Sequence, residues 1–393
     1  MLLIAGLCLL LARPIAPSAY AQESVAMAFL GHRREPTRST SPLDEPAPDL
    51  GLAGAKLGVA ENATSGRFIG QSFTLDVHMV GPDDDPAPII GALAGQGIHF
   101  VVADLPAGTL KLAGRAAAKA NITIVNVNSP DDSLRNAECQ LNVLHTIPSR
   151  AMLADGLAQY LVWKRWPRWF LLIGRHPGDR LYAEAVRRAA SRFGAEIVVE
   201  KEWSFQHGHG RADTGHVALQ TEIPAATRVR DYDVLVVADE KNEFGDYLDG
   251  RTARPRPIAG THGLVATGWS AVNDQWGAAQ LQRRFRSMAG RRMTAVDFAA
   301  WLAVRSIGEA ALHLRSVEPE QILERWRDPE FLVGGFKGQG LSFRTWDGQM
   351  RQPILIAGPR MLVSVSPQSG FLHQVTPLDS LGFDRPETGC RAR

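Results

Sequence analysis

HTIPSRAMLADGLAQYLVWKRWPRWFLLIGRHPGDRLYAEAVRRAASRFGAEIVVE, residues 145–200, alternates two kinds of order. After Ser149, a residue suited to N-cap a helix, Leu153, Leu157, Tyr160 and Leu161 recur at i, i+4, i+7 and i+8. Trp169–Gly174 (WFLLIG) is then a near-continuous apolar run. Tyr182, Val186, Ala189, Ala190 and Phe193 return to the helical stripe, Gly194 is placed to stop it, and Ile197–Glu200 (IVVE) is apolar again. Strands that are apolar on both faces belong in a parallel sheet covered by helices on both sides. The stretch therefore predicts helix, strand, helix, strand: the repeating unit of a doubly wound α/β fold.

The same pattern extends outward. Val25–Gly31 (VAMAFLG), Ile98–Ala103 (IHFVVA), Ile122–Val127 (ITIVNV) and Asp233–Ala238 (DVLVVA) read as further buried strands, and Val304, Ile307, Ala311 and Leu314 mark a late helix. Two groups of such units meet near Thr146–Ser149, where Pro148 breaks the chain. A length of 393 residues with 45% hydrophobic content suits two domains with sizeable cores. Close to the end, Leu341–Phe343 and Pro353–Ile356 read as a hairpin turning at Trp346-Asp347-Gly348-Gln349. A net charge of +2, from 43 basic and 41 acidic residues, argues against a nucleic-acid binder.

Residues 1–21 read as a signal peptide for export. Leu2–Ala12 is apolar but too short to cross a bilayer, and Ala19-Tyr20-Ala21 offers a small-residue cleavage site, although no Lys or Arg precedes the apolar run. Removal would leave Cys139 and Cys390, either as one disulfide or as two free thiols. Gly31–Asp49, rich in Pro, Arg and Ser, reads as a surface loop.

In open α/β sheets ligands bind beyond the carboxyl ends of the strands. That rule selects Arg33, Asp104, Thr109, Asn126, Asn128, Arg175 and Asp239 as candidate ligand-binding residues. Gly108-Thr109 at a helix start can offer an anion site or an ordinary cap. Arg33 and Arg34 suit carboxylates or form a solvated cluster. Trp269, Trp276 and Arg284 can stack on and pair with a planar anion, the alternative for the indoles being core or hinge packing. The sequence contains neither a G-x-S-x-G elbow nor a Walker A loop. His207, His209 and His216 fit a Gly-rich loop better than a metal site, and no catalytic residue is assigned.

The segments GLAGAKLGVAENATSGRF (51–68), NITIVNVNSPDDSLRN (121–136), HTIPSRAMLADGLAQYLV (145–162), GDRLYAEAVRRAASRFGAEIV (178–198) and DFAAWLAVRSIGEA (297–310) resemble the type I periplasmic solute-binding proteins of ABC importers, the branched-chain amino-acid-binding kind. Within it, LHTIPSRAMLADGLAQYLVWKRWPRW (144–169), DYDVLVVADEKNEFGDYL (231–248), WGAAQLQRRF (276–285) and GLSFRTWDGQMRQPILIAG (340–358) look like the subfamily associated with pyrroloquinoline quinone and quinoprotein alcohol dehydrogenase systems. The resemblance implies two lobes, 22–147 plus 262–337 and 148–261 plus 338–365, with a tail over 366–393 and a ligand in the cleft between them. It further implies a periplasmic location, an ABC permease as partner, and pyrroloquinoline quinone as a candidate ligand rather than a catalytic cofactor. A sensor or accessory role beside a quinoprotein dehydrogenase is the alternative. The family's amino-acid grip uses hydroxyls and backbone groups near Thr109 and Ser129; here Pro106-Ala107-Gly108 replaces a Ser-rich loop, a departure from a simple amino-acid site.

Overall fold

The structure, a computed structural model, describes residues 23–34, 47–203 and 221–390. The signal-peptide segment, residues 35–46 of the Pro-rich loop, and His207, His209 and His216 lie outside the described residues. The first sheet contains β1 (Glu23–His32), β2 (Gln71–Val80), β3 (Phe100–Asp104), β4 (Thr123–Asn126) and β5 (Val143–His145), all parallel, in the order β2-β1-β3-β4-β5. Helices α1 (Leu52–Gly66), α2 (Ala87–Gly95) and α3 (Ala107–Lys119) alternate with these strands. The second sheet repeats the order with β6 (Arg168–Ile173), β7 (Glu196–Glu202), β8 (Val234–Ala238), β9 (Ile258–Gly260) and β10 (Leu264–Thr267): β7-β6-β8-β9-β10, again parallel. Helices α4 (Arg150–Trp163) and α5 (Pro177–Phe193) belong to it. This is the α/β, doubly wound architecture that the apolar runs predict.

Local signals hold where they were strong. Ser149 Oγ accepts from Met152 N at 3.2 Å and caps α4, and Gly194 ends α5 with φ of 76°. Every residue of β3 and β8 is buried, as a two-sided strand requires. Strand β2 (QSFTLDVHMV) carries no such run. It is an edge strand beside β1, partly solvated along its length, so polar residues are tolerated and its apolar signal is diluted.

Two boundaries differ from the sequence reading. Strand β10 lies in the second sheet although residues 262–337 were expected in the first lobe, so the second crossover follows Thr267. The late hairpin also pairs differently. Gly340–Phe343 (β12) pairs with Val333–Gly334 (β11) and with Met350–Arg351 (β13), and its side chains Leu341, Phe343 and Met350 join the first lobe's core. Ile354–Ala357 (β14) instead leaves for the second sheet, antiparallel to β10, where Leu362–Ser366 (β15) completes the edge. Pro353, which has no N–H to donate to a ladder, separates the two uses of the segment.

Three crossovers therefore join the lobes, near 146–149, 268–270 and 352–353. Gln352 ties the third crossover to the first: its amide donates to the Thr146 carbonyl at 2.7 Å and accepts from Lys337 Nζ at 2.6 Å. Lys337 is buried over the Phe298 ring, 4.7 Å from its centroid, and burial pushes its pKa well below the usual lysine value. Cys139 and Cys390 form a disulfide, with Cα atoms 5.7 Å apart. Among the described residues no helix is long and apolar enough to cross a membrane.

Candidate functional site

In each sheet the chain leaves its first strand outward and returns to the strand on the other side. The switch points therefore lie between β1 and β3 and between β6 and β8, and the strand ends there are where ligands sit in such sheets. At the second sheet's carboxyl ends a cavity of about 730 Å³ is lined by Asp239, Glu240, Thr261 and His262 and reaches the second crossover at Trp269 and the Arg292 side chain. Another cavity of about 620 Å³, bounded by Thr123, Asn142 and Trp326, lies at the amino ends of β4 and β5. The strand-end rule favours the first.

Most polar groups named from the sequence are at the strand ends, but their hydrogen bonds are spent on the protein itself. Asp104, almost fully buried, takes both oxygens to Arg34 Nη2 at 2.7 and 2.8 Å, while the His32 ring meets its carbonyl at 2.8 Å. Burial pushes the Asp104 carboxyl pKa up, against the pull of Arg34 and His32. The pair stitches the end of β1 to the end of β3. Arg33 stands exposed beside it. Asn126 closes its own turn: its Oδ1 accepts from Asn128 N and Ser129 N at 3.2 and 3.0 Å, and its amide reaches Ser129 O at 2.8 Å. Asp239 likewise accepts three backbone N–H groups, from Glu243, Phe244 and Gly245, at 3.0, 2.8 and 2.8 Å. Arg175 pairs with Glu243 at 2.8 Å, and the His176 ring meets the same oxygen at 2.8 Å. Thr109 is half-buried in the first turn of α3, and a Cβ added to Gly108 would meet open space.

Of the two indoles in the sequence reading, Trp269 borders this cavity and Trp276 does not. Trp269 is a core residue, stacked on Phe298 at 4.6 Å and 8°, with its indole nitrogen buried and without a partner among the described residues. Trp276, though 46% exposed, lies against Gly338. Arg284 pairs with Glu61 in the third turn of α1 at 2.8 Å and lies 5.8 Å from the Phe336 ring. Trp276 and Arg284 thus sit on the helical face of the first lobe, where the structure does not bring them to the strand ends. Nearness in sequence to Trp269 misled, because a helix start at Ala278 carries the chain away.

Arg150 was missed. At the first position of α4 it reaches across to the first lobe, to Asp131 of the β4 loop at 3.0 Å, and within its own lobe to Glu240 after β8 at 2.8 and 2.7 Å. Burial disfavours its charge, but Glu240 and Asp131 outweigh this and hold its pKa above the usual arginine value. The signal was present: a cation in the first turn opposes the helix dipole and asks for carboxylates to hold it. His262 was also missed. It bridges Thr261 Oγ1 and Asn242 Oδ1 at 2.9 Å each, and burial lowers its pKa against the pull of Asp239 and Asp246. Among the described residues no group of three His, Cys, Asp or Glu side chains is placed to hold a metal ion.

No protein-family model matches the chain, and no curated protein matches it. Solved structures do. A branched-chain amino acid ABC transporter periplasmic ligand-binding protein from Burkholderia xenovorans is 14% identical over 94% of this chain and 99% of its own, with a TM-score of 0.71. The leucine-, isoleucine-, valine-, threonine- and alanine-binding protein of Brucella ovis, in its closed conformation, is 15% identical over 94% and 99%, with a TM-score of 0.68. An ABC transporter substrate-binding protein from Sphaerobacter thermophilus is 16% identical over 92% and 100%, with a TM-score of 0.67. The chain has the type I periplasmic-binding-protein fold.

Proposed function

We propose that the chain is a non-enzymatic, periplasmic solute-binding protein that closes its two lobes on a small anionic ligand and presents it to an ABC permease. The observation that carries this reading is the pair of like-ordered sheets joined by three crossovers, with a cavity at the strand ends of the second sheet that reaches the second crossover. Hinge closure of such lobes sequesters a ligand and changes the surface offered to a partner. The anionic preference comes from the sequence reading and from Arg292 in the cavity lining; Arg34, Arg150 and Arg175 at the strand ends are already paired with Asp104, Glu240 and Glu243.

Pyrroloquinoline quinone and a quinoprotein dehydrogenase partner rest on the sequence resemblance alone. Arg292 suits a carboxylate; Trp269 lines the cavity but is already stacked on Phe298, and Trp276 lies outside the lining. The similar Brucella ovis protein is a leucine-, isoleucine-, valine-, threonine- and alanine-binding protein, which makes such amino acids the competing ligand class. Titration followed by intrinsic fluorescence, with nine Trp residues in the chain, separates these. A saturable response to the quinone or to another small carboxylate supports the proposal. Binding of neutral solutes alone, or of no solute in a panel spanning quinone, amino acids and dicarboxylates, overturns it.

A further inference from the structure

We propose that the C-terminal segment 377–390 is a strap that limits how far the two lobes open. The segment is fastened to the second lobe by buried polar contacts. Gly382 N donates to Asp155 at 2.8 Å, and the Gly382 carbonyl accepts from Arg188 and Arg192 at 2.9 and 2.7 Å. Ser380 Oγ accepts from Gln159 of α4 at 2.9 Å. Asp155 is fully buried and holds both arginines within 3.0 Å.

The same segment is fastened to the first lobe at two places. Asp379, fully buried, accepts from Arg344 and Arg351 at 3.0 and 2.8 Å, on the loop and strand that follow β12. Arg344 also donates to the Leu378 and Leu381 carbonyls at 3.1 and 2.7 Å. Thr388 Oγ1 donates to Arg135 O at 2.9 Å, Gly389 N donates to Asn136, and Cys390 is bonded to Cys139 in the β4–β5 connection. A tail that only covered one lobe would make one of these sets, not both.

The covalent link lies beside the crossovers. Arg135 Nε donates to Gln349 at 2.9 Å, and Gln349 in turn donates to the His145 and Ile147 carbonyls of the first crossover. Opening the lobes would draw Gly382, held on α4 and α5, away from Cys390, held on the first lobe. Asp379, three residues before Gly382, is a shorter but non-covalent tie to the first lobe; eight residues separate Gly382 from the covalent anchor, a reach of at most about 28 Å when fully extended. The lobes can therefore hinge, but only until that span is taut. The strap acts on the opening that the proposed function requires, and so rests on that reading, but its test needs no ligand.

The experiment compares wild-type protein with Cys139→Ser/Cys390→Ser, both without ligand, by small-angle X-ray scattering and by hydrogen exchange at the amides of Thr146, Ile147, Ser149, residues 268–270 and Gln352. A compact chain of this size has a radius of gyration of about 21 Å. The expected result is a rise of roughly 1 Å in the variant, with faster exchange at the crossovers and unchanged far-UV circular dichroism. An unchanged radius and unchanged exchange overturn the proposal. Should the variant not fold, the same measurements on folded wild type treated with a phosphine reductant replace it. Loss of the fold on reduction there also overturns the proposal, because the disulfide would then be a staple of the fold rather than a limit on opening. A wider apo protein that binds no solute would refute the proposed function while leaving the strap intact.

Discussion

Replacing Gly54 by alanine sets two effects of known sign against each other. Gly54 lies in α1, where alanine ordinarily gains about 1 kcal/mol over glycine. A Cβ there would stand 1.8 Å from the Asp297 carbonyl oxygen and 2.6 Å from its carbon, where α1 crosses the helix Ala295–Leu314. Restoring ordinary contact requires the helices to part by roughly 1.5 Å, and the obstacle is backbone, which cannot rotate aside. Parting them loosens a layer built from Ala53, Leu57, Ala300 and Val304, all buried, and pulls Gly51 N from Asp297 Oδ1, now 2.8 Å apart. Overpacking of this kind costs about 1–3 kcal/mol and more where nothing yields, so the clash exceeds the propensity gain. We expect a net loss of about 2 kcal/mol, read as a lower midpoint in equilibrium urea unfolding with little change in m. Gly91→Ala is the control: it lies in α2 with nothing within 4 Å of the added carbon, and should gain up to about 1 kcal/mol. A Gly54→Ala protein as stable as wild type, beside a stabilised Gly91→Ala, would refute the close-crossing argument.

Asp239→Ala should cost about 3 kcal/mol by urea unfolding, because three backbone N–H groups of the 243–245 turn lose their acceptor; a loss below about 1 kcal/mol would mean that water replaces the carboxylate without penalty. The Asp155 carboxyl pKa is pushed up to about 6 by burial, against Arg188 and Arg192. Between about pH 4 and 6 the folded state then holds a proton that the unfolded chain releases, so this group's contribution is full below the unfolded value and falls as pH rises, by up to about 3 kcal/mol. Unfolding midpoints of wild type and Asp155→Asn at about pH 4.5 and 6.5 isolate the term. The wild type should lose more on raising the pH, and an equal response in both would sink the argument.

The fold was legible wherever one stretch of sequence decides its own environment. Buried parallel strands such as β3, β6 and β8 announce themselves because both faces are covered, and α4 and α5 carry their own caps. What depended on partners was not legible. β2 is half-solvated at an edge, and the apolar PILIA run gives no sign of whether it closes a hairpin with β12 or crosses to β10. The same limit governs the cleft. The strand-end rule places Asp104, Asn126, Arg175 and Asp239 correctly in the fold, yet a carboxylate or amide that waits for a ligand and one that closes its own loop have the same letter and the same position. Here Asp104, Asn126 and Asp239 are of the second kind, which shifts attention to Arg150. Of its two carboxylates, Glu240 moves with it on the second lobe and Asp131 belongs to the first, so any rotation of the lobes must stretch or exchange the Asp131 bond, and a ligand carboxylate that replaced Asp131 would couple its own binding to closure.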